Sequence, residues 1–152
     1  MMDRKIRVLF VCIHNSARSQ MAEAFLKELG GGQFEVMSAG IEPGTLNPYV
    51  VKAMKEVGID ISDNKPKSIS DFLKEEAIVD YVITVCDETS AERCPIFPGQ
   101  AQKLHWGFLD PSALQGTDED KMQAIRKIRN DIRTKVSTWI PLVPFGLTFI
   151  NS

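Results

Sequence analysis

The stretch that most restricts how this chain can fold is Cys12-Ile13-His14-Asn15-Ser16-Ala17-Arg18-Ser19. It follows an apolar run at Ile6, Val8, Leu9, Phe10 and Val11 and precedes a helix-like run over residues 20–29. The order reads as strand, tight polar loop and helix, the opening unit of an α/β sheet. The backbone between cysteine and arginine is long enough to curl into a ring of inward-pointing amides. Such a ring, together with the positive end of a helix starting near Ser19, favours a tetrahedral oxyanion. Ile13, His14, Asn15, Ser16 and Ala17 would supply the amides. Arg18 would complete the cradle, because its planar fork donates to two oxygens at once where a lysine could not.

The same field acts on the sulfur of Cys12. Amides and a guanidinium that stabilise a bound anion also stabilise a thiolate, so a depressed thiol pKa and a nucleophilic role are expected. Ser19, beside Arg18, is expected to donate its hydroxyl hydrogen to that thiolate and help it leave later. The plain alternative is an inert core cysteine closing a strand, which needs no arginine, serine and helix start arranged after it.

Composition narrows the classes. With 152 residues and 43% hydrophobic content the chain suits one domain with a sizeable core. The 18 basic and 20 acidic residues form no basic block, so a nucleic-acid surface is not indicated and a small partner is expected. No segment approaches the roughly 18 apolar residues of a membrane span. The first apolar run also lacks a cleavage pattern, and a cytoplasmic protein is expected. Three cysteines without Cys-x-x-Cys spacing are expected to be free or transiently redox-active, with no metal site.

Further along, Met21, Ala22, Phe25, Leu26 and Leu29 recur at helical spacing, with Glu23, Lys27 and Glu28 turned outward and Gly30-Gly31-Gly32 as the stop. Residues 34–39 form a second strand. Asn47-Pro48 caps a second helix with a buried stripe at Val50, Val51, Met54 and Val57, ended by Gly58. An irregular polar stretch over 59–67 and a short helix over 71–76 lead to a third strand at 81–85, with Cys86 at its carboxyl end. A polar, helix-prone segment expected to be exposed then reaches Cys94, and a fourth short strand covers 103–106. Thr117 and Asp120 suggest a capping box for a last helix that buries Ile125, Ile128, Ile132 and Val136. The domain is expected over residues 1–140. An apolar tail over 141–152, without charge and with two prolines, is expected to pack back on the core.

In open parallel α/β sheets, ligands bind beyond the carboxyl ends of the strands. Cys12, Cys86 and Asp110 all fall on that rim. Asp110, stiffened by Pro111, is the candidate general acid that protonates a departing oxygen. Cys86 and Cys94 read as thiols for exchange, with buried inert cysteines as the alternative.

Several stretches together resemble the thioredoxin-coupled arsenate reductases built on the low-molecular-weight tyrosine phosphatase fold. They are residues 12–23, Ser38-Ala39-Gly40, Asn47-Pro48, His105-Trp106-Gly107-Phe108 and Asp110-Pro111, and they span most of residues 6–139. The resemblance implies a three-layer α/β domain whose four-stranded parallel sheet has the order 2-1-3-4, with helices on both faces. It implies that Cys12 attacks arsenate held by Arg18 and the loop amides while Asp110 protonates the leaving hydroxide. Cys86 would then attack Cys12 and release arsenite, and Cys94 would move the disulfide to Cys86–Cys94 for reduction by a thioredoxin-like protein. No metal or organic cofactor is implied, phosphate or sulfate would compete with arsenate, and a monomer is expected.

The chain departs from the family at some positions. Its Cys86-to-Cys94 spacer is one residue longer than in the reductases it resembles. In the potassium-binding branch, Asn15, Glu23 and Ser38 match ion-coordinating positions, but Lys67 stands where that branch has a carboxylate. The Lys67 ammonium is therefore expected to replace the ion and make the protein potassium-independent. His14 is expected to serve loop packing or act on the thiolate at long range. The main alternative is a phosphatase in which Cys12, Arg18 and Asp110 cleave phosphate monoesters. Against it stand the thiol pair and the lack of tyrosines after Asp110-Pro111. A non-catalytic oxyanion-binding or redox-sensing module is a third reading, in which Asp110 would have no task.

Overall fold

β1 (Ile6–Cys12), β2 (Phe34–Gly40), β3 (Tyr81–Thr84) and β4 (Gln102–His105) form a parallel sheet in the order β2-β1-β3-β4. The computed structural model describes residues 5–74, 78–86 and 101–143. β1 lies in the middle because its side chains are apolar on both faces, as a doubly covered parallel strand requires. Val8 and Phe10 join the larger core with α1 (Arg18–Gly30), α2 (Pro48–Glu56) and, after the sheet, α4 (Asp118–Trp139). Leu9 and Val11 point the other way, into a smaller cluster with Ile69 of α3 (Ile69–Lys74), Val79 and Val82. The expected three-layer α/β architecture and strand order are therefore observed.

The register aligns the carboxyl ends. Cys12 pairs with Gly40, Val11 with Thr84, and Thr84 with His105. The chain leaves β1 toward β2 on one side and reaches β3 on the other, so the crevice at the strand ends opens beside Cys12.

Local signals account for most helix ends. Asn47 Oδ1 accepts from the amides of Tyr49 and Val50, and Pro48 takes the first helical position of α2. Thr117 and Asp120 form a reciprocal capping box at α4, whose Ile125, Ile128, Ile132 and Val136 are buried. α4 ends at Trp139, which packs edge-on against Tyr81 and Trp106 at centroid distances of 5.2 and 5.6 Å. A 3-10 turn (Ile140–Leu142) follows, and Val143 returns into the larger core. Residues 144–152 of the expected apolar tail lie outside the described residues.

Two expectations for α1 are corrected, since Leu29 of the apolar stripe is 38% exposed and Glu23 is buried. Glu23 does not face solvent: it is 6% exposed, and every residue from Arg18 to Leu26 is buried. The sheet and α4 cover one side of this half of α1, and the irregular stretch around Asn64, Lys65 and Lys67 covers the polar side. Among the described residues no helix is long and apolar enough to cross a membrane.

Candidate active site

The loop after β1 turns because Asn15 adopts a left-handed backbone conformation, φ 53°, which asparagine tolerates better than most side chains. The carbonyls of the loop are then taken up on its outside. Cys12 O accepts from Ile41 N at 3.3 Å, Ile13 O from Glu42 N at 2.8 Å, His14 O from Gly44 N at 2.9 Å and Ser16 O from Asn47 N at 3.0 Å. Carbonyls held outward leave the loop amides for the inside, which is the arrangement an anion nest requires. α1 starts at Arg18 with no side-chain cap and no acidic residue in its first turn, so its positive end favours an anion in the loop.

A buried network supports the loop from behind. Asn15 Nδ2 donates to Ser19 Oγ at 2.7 Å and to Ser38 Oγ at 2.9 Å, while Asn15 Oδ1 accepts from Lys67 N at 2.8 Å. Ser38 Oγ donates to Glu23 Oε1, and Lys67 Nζ lies 3.9 Å from that same oxygen. Glu23 Oε2 is bound by Lys27 Nζ at 2.6 Å. Asn15, Glu23, Ser38 and Lys67 thus meet behind the loop. Gln20 and Lys27 were missed. Gln20 Nε2 donates to Asn15 O at 3.1 Å, and with Glu23 and Lys27 it forms a polar row along α1 at i, i+3 and i+7. In the sequence that row reads as a solvated helix face, and only the chain packed over Gln20 and Glu23 shows otherwise.

Arg18 is 3% exposed and crosses to the loop after β4. Its Nη1 donates to Phe108 O at 3.0 Å, and its Nη2 lies 3.8 Å from Asp110 Oδ2. Among the described residues, Arg18 Nε is the one buried side-chain nitrogen or oxygen without a hydrogen-bond partner. A buried guanidinium N–H left unpaired is costly, and an anion seated in the loop would satisfy it. Asp110 is partly exposed, with Oδ1 fixed by the amide of Ser112 at 2.9 Å.

Cys12 and Cys86 are buried, and both belong to the larger core. A hydrogen bond from the Cys86 thiol is the largest influence on Cys12. The Arg18 charge and the amides of Ile13 and His14 add to it, and together they outweigh burial and bring the Cys12 thiol down to about 6. Ser19, expected to donate to Cys12, accepts from Asn15 Nδ2 and is not among the groups that lower the Cys12 thiol. His14 is exposed and its Nδ1 lies 2.8 Å from Glu42 O, so its ring holds the flanking loop. Cys94 and the segment around it, residues 87–100, lie outside the described residues. Among the described residues no group of three or more histidine, cysteine, aspartate or glutamate side chains is arranged to hold a metal ion.

The model of the low molecular weight phosphotyrosine protein phosphatase family matches residues 7–143. An arsenate reductase from Halalkalibacterium halodurans is 43% identical over 138 residues, covering 91% of this chain and 96% of that protein. The solved structure of an arsenate reductase in the oxidized state is similar, with a TM-score of 0.74 and 32% identity over 93% of this chain and 98% of the other. A thioredoxin-dependent arsenate reductase from Corynebacterium glutamicum has a TM-score of 0.63 and 35% identity, covering 93% of this chain and 65% of the other.

Proposed function

The chain belongs to the low-molecular-weight phosphotyrosine protein phosphatase family, in its arsenate-reductase branch, and on that premise we propose that it reduces arsenate to arsenite through a relay of three thiols. The observation that carries the reading is a second buried thiol, Cys86, in the same core cluster as Cys12 at the base of the anion loop and lowering its pKa. A phosphatase needs one thiolate and water; a second thiol held against the first both steadies that thiolate and stands ready to attack the nucleophile's sulfur, a step that only the reductase uses.

In this reading the Cys12 thiolate attacks arsenic, and the hydroxide that leaves takes its proton from Asp110. The unpaired Arg18 Nε and the loop amides hold the oxygens of the adduct. Cys86, after losing its proton, attacks Cys12 Sγ. The S–S bond forms as the S–As bond breaks, and the electron pair of that bond leaves with arsenic as arsenite. Cys94 then attacks Cys86, freeing Cys12 and leaving a Cys86–Cys94 disulfide for a thioredoxin-like dithiol to reduce. Two electrons pass from thiol to arsenic, and no further cofactor is required. Phosphate and sulfate compete for the same loop. The chemistry depends on free thiols and therefore suits the cytoplasm.

Lys67 and Lys27 serve Glu23 in place of a bound potassium ion. Their ammonium groups already face both carboxylate oxygens, so turnover is expected to be equal in potassium and sodium salts of the same ionic strength.

The relay is tested by treating fully reduced protein with arsenate, without external thiol, then alkylating and mapping disulfides by peptide mass spectrometry. An arsenate-dependent Cys86–Cys94 disulfide, absent from Cys12→Ser, is expected. Three free thiols in a protein that still hydrolyses an aryl phosphate would replace the reductase reading with the phosphatase.

A further inference from the structure

We infer that Asn47 is a positioning residue for the acid-bearing loop, acting through Ser112 on Asp110. The inference rests on the reading of Asp110 as the proton donor. Asn47 makes contacts of three kinds. Its backbone N–H donates to Ser16 O of the anion loop at 3.0 Å, and its Oδ1 caps α2 at Tyr49 N and Val50 N, at 2.9 and 3.3 Å. Its Nδ2 donates to Ser112 Oγ at 3.1 Å. The amide of Ser112 donates in turn to Asp110 Oδ1 at 2.9 Å. Asp110 Oδ2 then lies 3.8 Å from Arg18 Nη2, and Arg18 follows Ser16 closely in the anion loop. The contacts therefore close a circuit that leaves the loop through Asn47 and returns through Arg18.

Capping alone does not call for asparagine at position 47. Serine, threonine or aspartate caps a helix about as well, and each does so with an oxygen. The amide nitrogen is the part of this side chain that capping leaves unused, and it is the part that reaches Ser112. The base it works from is fixed: Tyr49 OH donates to Asp118 Oδ1 at 2.7 Å, and Arg129 donates to Ala53 O at 2.9 Å, so α2 is held to α4.

The link matters most when an oxyanion is bound. The acid loop is held from two sides, by Arg18 at Phe108 O and Asp110 and by Asn47 at Ser112. A bound oxyanion competes for the Arg18 donors, which weakens the first hold at the stage when Asp110 has to be in place. The hold through Ser112 does not involve the anion and remains. Because the Asn47–Ser112 bond is exposed, it adds little to stability. Its effect is on where the carboxyl group stands, and small displacements of a catalytic group are felt strongly in rate.

Two variants remove the link without touching Cys12, Arg18 or Asp110. Ser112→Ala deletes the acceptor, and Asn47→Ser keeps a capping oxygen while losing the amide nitrogen. The readout is the single-turnover rate of arsenate-driven loss of free thiols, taken across pH, beside the inhibition constant of phosphate. Each variant is expected to slow the rate by ~5- to 10-fold, an effect of orientation, with phosphate affinity unchanged. In an Asp110→Asn background neither is expected to slow it further, since their route runs through that carboxylate. Unchanged rates, or equal slowing with and without Asp110, would overturn the inference. Hydrolysis of phenyl and para-nitrophenyl phosphate is the second arm. Loss of the link should slow the phenyl ester more, because its poorer leaving group needs the proton, and equal effects on the two esters would overturn the inference there. If the unaltered protein cleaves these esters but arsenate leaves its thiols free, the reductase reading fails while this arm still judges the link.

Discussion

Burial by itself pushes the Cys12 thiol up, because a thiolate loses the solvation of water in the core. The Cys86 hydrogen bond leads the groups that reverse this, ahead of the Arg18 charge and the two loop amides, and the balance stands at about 6. A thiol so placed is ionised through the neutral range. Its alkylation rate with iodoacetamide is expected to rise with pH to a plateau, with a midpoint near 6, while a thiol without these partners would still be rising at pH 8. Cys86→Ala deletes the leading donor to the thiolate, so the midpoint should move upward. A midpoint that stays in place in that variant would mean that Arg18 and the amides hold the thiolate without Cys86, and would take away the observation on which the relay rests.

The end of β2 and the anion loop are packed too closely for any side chain between them. A Cβ on Gly40 would lie 2.8 Å from both Asn15 N and Ile13 O and 2.9 Å from the His14 carbonyl carbon, all of them backbone atoms that cannot swing aside. Gly40→Ala is therefore expected to destabilise the fold by ~1–3 kcal/mol, the usual range for forced overpacking, and to weaken phosphate binding as well, because the displaced atoms belong to the cradle. Urea unfolding with and without phosphate measures both. A loss of stability with phosphate's stabilising effect intact would show that the loop absorbs the methyl without opening. Nothing near position 40 in the chain announces this constraint, since Ser38-Ala39-Gly40 reads as an ordinary strand end. The elements whose signals are local were legible: Asn47-Pro48 before α2, Thr117 with Asp120 before α4, and alternating apolar faces along β1. The first turns of α1 were not, because whether Glu23 meets water depends on the stretch near Lys67, some forty residues later in the chain.

The candidate site divides along the same line. Cys12 to Ser19 is contiguous, so its strand, loop and helix start could be read directly. Asp110 and Cys86 needed only the rule that ligands gather at strand ends. Gln20 on Asn15 and Asn47 on Ser112 are meetings of polar groups whose partners are set by packing, and no spacing encodes them. The same applies to the link that fixes α2 against α4. Glu56 receives Arg126 at Nη2 2.8 Å and Nε 3.0 Å, and Arg129 at Nη1 2.9 Å, so its carboxylate joins the two helices that cover the larger core. Hydrogen bonds from Arg126 lead in bringing Glu56 down from its ordinary 4.5 to about 2. A carboxyl group whose pKa falls on folding binds fewer protons when folded. Its stabilising effect is therefore complete above pH 4.5 and fades as the pH drops through 2. Unfolding of the protein and of Glu56→Gln should accordingly differ most near neutrality, with the variant the weaker. The two curves should converge as acid protonates the native carboxylate. Because the pair is partly exposed, the difference should also narrow in concentrated salt. A difference that persists undiminished at pH 2 would show that Glu56 holds the helices by packing and neutral hydrogen bonding, with its charge playing no part.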